Sequence, residues 1–104
     1  MTVKEYVDDI LCIPITRTGN RLIVESIELV LDTCDHKFYK RLSLITGKTT
    51  RYLEKALRDA RLLGLASMKP EVKSTIFGST DVTTNEYILK ATDFYRRNYE
   101  NKEC

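Results

Sequence analysis

Hydrophobic residues recur along this chain at spacings of three and four, the pattern of helices that bury one face. Val3, Tyr6, Val7, Ile10 and Leu11 mark a first amphipathic helix, ended by Pro14 because the residue before a proline is pushed out of the helical region. A connector from Ile13 to Gly19 follows. Asn20 is placed to cap a second helix, in which Leu22, Ile23, Ser26, Ile27 and Val30 supply the buried side, and Thr33 to Asp35 form a short turn after it. Ser67 to Val82 contains Pro70, Gly78 and several hydroxyl residues, so it reads as a long surface connection with one helical turn around Ile76 and Phe77. A last helix opens with Thr83 and Glu86 at capping-box spacing and carries Tyr87, Ile88, Ala91, Phe94 and Tyr95 on one face. Its tail from Tyr99 onward is expected to fray, and no segment reads as a strand. The pattern predicts an all-α fold, a compact bundle of five to six helices in one domain spanning 1–104.

The most informative stretch is YKRLSLITGKTTRYLEKALRDARLLGL, Tyr39 to Leu65. Phe38, Tyr39, Leu42 and Ile45 give a helix one apolar side, with small Ser43 where a crossing helix would approach closely. Gly47 supplies the positive φ that a sharp inter-helix turn needs, and Thr49 or Thr50 can cap the free N–H groups of the next helix. Leu53, Ala56, Leu57, Ala60 and Gly64 then form one narrow packing face. At about 100° per residue, Arg51, Lys55 and Arg58 fall within an arc of roughly 60° on the opposite side. A helix, a glycine turn and a basic second helix are the pattern of a helix-turn-helix, with turn and recognition helix at about 39–66.

Charge sharpens this picture. The chain's net charge is only +2, but Tyr39 to Arg61 holds seven cations (Lys40, Arg41, Lys48, Arg51, Lys55, Arg58, Arg61) against two acids (Glu54, Asp59). Such a concentrated positive field suits a polyanion, with an acidic remainder facing away. No apolar run approaches the length of a membrane span and the acid-bearing N-terminus lacks a signal sequence, so a cytoplasmic protein is expected. Three cysteines (Cys12, Cys34, Cys104) without CxxC spacing suggest neither a zinc site nor a disulfide framework. A reducing compartment fits them, with Cys12 and Cys34 as core filler.

Other chemistry finds little support. TGKTT resembles part of a phosphate loop, but Leu42 stands where the motif needs its first glycine and no strand precedes it. His36, the single histidine, has Asp35 beside it but no ligand set and is expected near a helix start on the surface. No catalytic residue, metal site or cofactor is predicted. Glu54 has two readings, a partner for Arg58 at i,i+4 or a group that reads DNA. Leu62, in the angular sector of the basic stripe but a turn beyond Arg58, is expected to meet the last helix or a partner. The aromatics Tyr87, Phe94 and Tyr95 are expected in the core.

The motifs together resemble those of one known family. IPITRTG (Ile13 to Gly19), Tyr39 to Ala60 with its LEKALRDA run, STIFGST (Ser74 to Thr80) and TTNEYI (Thr83 to Ile88) are similar, in order, to segments of the C-terminal DNA-binding effector domain of the master sporulation response regulator of endospore-forming bacteria. The resemblance covers nearly the whole chain and implies a six-helix bundle. Its recognition helix would enter the major groove of a TGNCGAA-like box in double-stranded DNA, with domains paired or in tandem as a homodimer. By position it implies that Glu54 and Lys55 approach base edges, while Arg51, Arg58, Lys48, Thr49 and Thr50 hold phosphates or neighbouring bases.

This chain departs from the family pattern in four ways. Lys55 replaces the usual arginine and so lacks its bidentate fork. Arg51 replaces a small polar residue. The stretch from Gly19 to Tyr39 is shorter by roughly two helical turns, so the second and third helices are expected to be fused or trimmed. Full-length members carry a phosphoacceptor receiver domain, whereas this sequence begins at the effector domain; if it is the whole gene product, phosphorylation is expected not to switch it directly. The expected function is sequence-specific transcriptional regulation without enzymatic activity. The alternative is a protein-interaction modulator or decoy that pairs with a full-length response regulator.

Overall fold

A computed structural model describes residues 1–15, 17–79 and 81–100. Six α-helices, α1 (Val3–Glu5), α2 (Thr18–Thr33), α3 (Phe38–Thr46), α4 (Thr50–Ser67), α5 (Pro70–Phe77) and α6 (Thr84–Tyr95), make the fold, and no strand occurs among the described residues. The all-α bundle expected from periodicity is what forms. α1 continues as a π-helical turn, Tyr6–Ile10, in which the Leu11 N–H donates to the Tyr6 carbonyl at 3.0 Å, and α6 continues likewise through Arg96–Glu100.

α2 is the central post, packed chiefly on α4 and α6. The residues assigned to its inner side, Leu22, Ile23, Ser26, Ile27 and Val30, are all buried. Its start differs from the expectation. The helix begins at Thr18, and Asn20 lies inside the first turn, only 1% exposed. Its amide donates to the Ile13 carbonyl at 2.8 Å and to Asp8 Oδ1 at 2.9 Å, while its oxygen accepts from Lys4 Nζ at 2.7 Å. Asn20 therefore fastens the connector to the first helix instead of capping its own. The neighbouring Gly19 allows α2 to approach α4, since a Cβ there would lie 3.0 Å from the Ala56 carbonyl oxygen and closer still to Ala60 Cβ.

α2 and α3 are separate helices, not fused. Cys34, in the left-handed region at φ 53°, closes α2 with its N–H on the Val30 carbonyl. Cys34 is exposed, so the expectation that it fills the core is corrected; Cys12 is half-buried with a free thiol, and Cys104 lies outside the described residues. Position and not polarity decided this, because a helix C-cap projects from the bundle end.

The Ser67 to Val82 segment also differs. Instead of a loop with one turn, it contains the two-turn helix α5, opened by Pro70 at the first position, where a missing N–H costs nothing. Ile76 and Phe77 are buried, and Phe77 stacks on Tyr87 of α6 at 4.7 Å between ring centres. Thr83 and Glu86 form the expected reciprocal capping box. Tyr87, Ile88, Ala91 and Tyr95 of α6 are buried and Phe94 half-buried, so the aromatic stripe is core. Tyr6 anchors it from the other end of the chain, its hydroxyl donating to the Ala91 carbonyl at 2.8 Å. Tyr99 and Glu100, where fraying was expected, continue the π-helical turn, and Tyr99 packs its ring on Tyr6 at 5.8 Å; the rest of the tail is outside the described residues.

Candidate nucleic-acid interface

The surface formed by α3, the turn 47–49 and α4 is built from local sequence. Phe38 and Leu42 anchor α3 in the core, and Tyr39 is half-buried; Ile45, expected on the same side, is 65% exposed one residue before the helix ends at Thr46. Gly47 takes φ 72°, and its N–H closes α3 on the Ser43 carbonyl at 2.9 Å. Ser43 acts in the turn itself, its hydroxyl donating to the Lys48 carbonyl at 2.5 Å. Thr49 caps α4 by accepting from the Tyr52 N–H at 3.1 Å.

α4 then runs with Leu53, Leu57, Ala60 and Gly64 buried and Ala56 half-buried, as its spacing predicted. Gly64 lets the first connector cross directly over the helix: a Cβ there would stand 2.7 Å from the Leu11 carbonyl oxygen and 2.9 Å from Ile13 Cγ1. Locking α4 on that side turns the opposite side to solvent.

Lys48, Thr49, Thr50, Arg51, Glu54, Lys55 and Arg58 are all exposed. Thr49, Arg51, Tyr52, Glu54, Lys55 and Arg58 line one shallow open depression. Among the described residues, Arg51, Lys55 and Arg58 make no ion pair or hydrogen bond within the chain, and Glu54 does not pair with Arg58. The intrahelical reading of Glu54 is thus not realised. Its carboxylate bears instead on Tyr39, whose phenol is pushed up mainly by burial and further by the Glu54 charge.

Two of the seven cations are committed elsewhere. Arg41 Nε pairs with Asp35 Oδ2 at 3.3 Å, and an Arg61 guanidinium nitrogen donates to the Val82 carbonyl at 2.6 Å. Neither partner stands at the i,i+3 or i,i+4 spacing of a helix face: Asp35 lies 6 residues away, before α3, and Val82 lies 21 away. Tyr52 was not singled out by the sequence reading, yet it is 44% exposed in the depression with Lys48 Nζ 5.3 Å from its ring centre. An aromatic placed between cations in the first turn was the available signal. Leu62 is 53% exposed, so the last helix does not cover it. His36 is exposed beside the start of α3, and no group of three or more metal-ligating side chains occurs among the described residues. No helix among the described residues is long and apolar enough to cross a membrane.

The array can offer cations to phosphate oxygens, a lysine to guanine O6 or N7, and a carboxylate to cytosine N4. From Arg51 to Arg58 the stripe extends about 10 Å at 1.5 Å per residue, within the roughly 12 Å width of a DNA major groove. Compared with protein-family models and with curated proteins, the chain matches none.

Proposed function

We propose that this protein is a sequence-specific, duplex-DNA-binding transcriptional regulator of the sporulation-regulator effector type, acting in the cytoplasm through α4. The observation that carries the reading is the stripe of Arg51, Lys55 and Arg58, exposed and without side-chain partners among the described residues, directly after a glycine turn and opposite the helix's packing face. Long cations held off the body of a protein do nothing for its stability; opposite a polyanion they release counterions. The motif resemblance supplies the box, a TGNCGAA-like sequence, and the roles: Glu54 and Lys55 on base edges, and Arg51, Arg58, Lys48, Thr49 and Thr50 on the backbone or neighbouring bases. The positive end of the α4 dipole, at Thr49 and Thr50, favours a phosphate in the same place.

Fluorescence anisotropy with a TGNCGAA-like duplex and a scrambled duplex, at two salt concentrations, tests the reading. Preference for the box with salt-sensitive affinity is the expected result. Arg51→Ala or Arg58→Ala should weaken both duplexes alike and lower the salt slope by about 0.9 each, while Lys55→Ala should also erode the preference. Equal affinity for both duplexes would sink the proposed box, and no binding at either salt would sink the assignment to DNA.

A further inference from the structure

A surface that the basic stripe does not use lies on the flank of α4 where the first connector runs. The connector touches α4 at two points, Ile13 over Gly64 and Gly19 against Ala56 and Ala60, so Ile15 and Arg17 lie along that flank between them. Arg17 and Asp59 rim an open depression that also has Leu63 and the small residues Gly19, Ala56 and Ala60 in its lining. Ile15 is 68% exposed two residues before Arg17, and Leu63 is 39% exposed. Leu62, next along the helix and also exposed, widens the apolar area. The side chains of Arg17 and Asp59 are exposed, and neither makes a hydrogen bond or ion pair among the described residues. Neighbouring large apolar side chains with a charged rim have the anatomy of a protein interface.

We infer that this flank of α4 is a two-fold docking surface for a second copy of this chain, formed without DNA. The face carries complementary features side by side: an exposed apolar side chain, Ile15, next to a hollow of small residues, and a cation without a partner next to an anion without one. In a two-fold contact the same patch faces itself, so each group meets its complement on the other copy and every such meeting occurs twice. Ile15 of each copy enters the hollow at Gly19, Ala56 and Ala60 of the other, and Arg17 of each copy pairs with Asp59 of the other. A partner of one dominant charge would leave either Arg17 or Asp59 opposed by a like charge, and Asp59 disfavours phosphates in particular. A second copy matches both signs at once. None of Ile15, Arg17, Asp59 and Leu63 belongs to the proposed DNA-binding set, so the inference stands apart from that reading.

Sedimentation velocity on the unchanged protein, from about 10 μM to 1 mM to bracket a small reversible interface, should show the mass rising from monomer towards dimer. Arg17→Asp or Asp59→Arg alone should raise the dimer dissociation constant at least about tenfold, since each sets like charges opposite each other twice. An equimolar mixture of the two variants should dimerise again, because each mixed pair carries two attractive contacts. A merely structural role for either residue gives no such recovery. Ile15→Lys should leave monomer at every concentration. Circular dichroism melting confirms that each variant is folded, as expected of substitutions at exposed positions. Monomer throughout for the unchanged protein overturns the inference and leaves the face to a different protein. Dimers indifferent to the charge reversals, or a mixture that does not recover, overturn it too. DNA is absent from every measurement, so failure here leaves the DNA-binding reading untouched.

Discussion

Asn20→Ser separates two roles for one side chain. Serine caps a helix N-terminus about as well as asparagine, so a capping role predicts a change near zero. In the structure Asn20 instead holds the Ile13 carbonyl at 2.8 Å within a site where Asn20 and Ile13 are each 1% exposed. A serine hydroxyl is too short to span that contact, and a buried carbonyl left without a donor costs about 1–3 kcal/mol. Lys4 and Asp8 keep each other at 2.8 Å, and that partly exposed pair adds little either way. The expected loss is about 2 kcal/mol, a fall in Tm of roughly 10 °C for a domain of this size. Urea unfolding followed by far-UV circular dichroism reads it as a lower midpoint at constant m-value. Asn20→Asp should cost more, because it sets a carboxylate against the Ile13 carbonyl and Asp8. A change below about 0.5 kcal/mol in both variants, the range of ordinary surface substitutions, would refute the fastening role.

Other outcomes follow from the same geometry. Gly64→Ala should destabilise by about 1–3 kcal/mol through overpacking against the Leu11 carbonyl, despite the gain in helix propensity, and a higher midpoint in urea would contradict the close crossing. The Glu86 carboxyl is held below its usual range first by the Thr83 backbone N–H, then by its hydroxyl. Its contribution is therefore present above the unfolded carboxylate range and lost as pH falls through the folded value. Glu86→Gln should leave stability near neutrality almost unchanged and flatten the acid limb below about pH 4, measured as Tm against pH. Burial raises the Tyr6 and Tyr87 phenols far above the ordinary value. Their contribution is present below the unfolded phenol pKa of about 10 and lost above it. Absorbance titration should therefore find two of the six tyrosines ionising only as the protein unfolds.

The parts of this protein legible in its sequence are those whose causes are local. Gly47 alone makes the positive-φ turn, Thr49 and the Thr83–Glu86 box cap their helices through bonds three residues long, and the spacings in α2, α4 and α6 select the buried face before any partner is known. The outward direction of Arg51, Lys55 and Arg58 follows from the same arithmetic, since the side opposite a packing stripe must face solvent. Helix α5 was obscured because Pro70, Gly78 and the hydroxyl residues read as a loop, although a proline followed by an acid also opens helices. Tertiary structure alone decided the rest. Asn20 acts through Ile13, Asp8 and Lys4; Arg61 is taken by a carbonyl at Val82; Arg41 is neutralised by Asp35; and Glu54 makes no ion pair among the described residues although Arg58 stands one turn away. Ile45 is exposed although it shares the apolar side of α3 with the buried Phe38 and Leu42. Periodicity states which side of a helix is buried, whereas the partner of a polar or charged group depends on the approach of segments distant in the chain, which only the assembled fold sets.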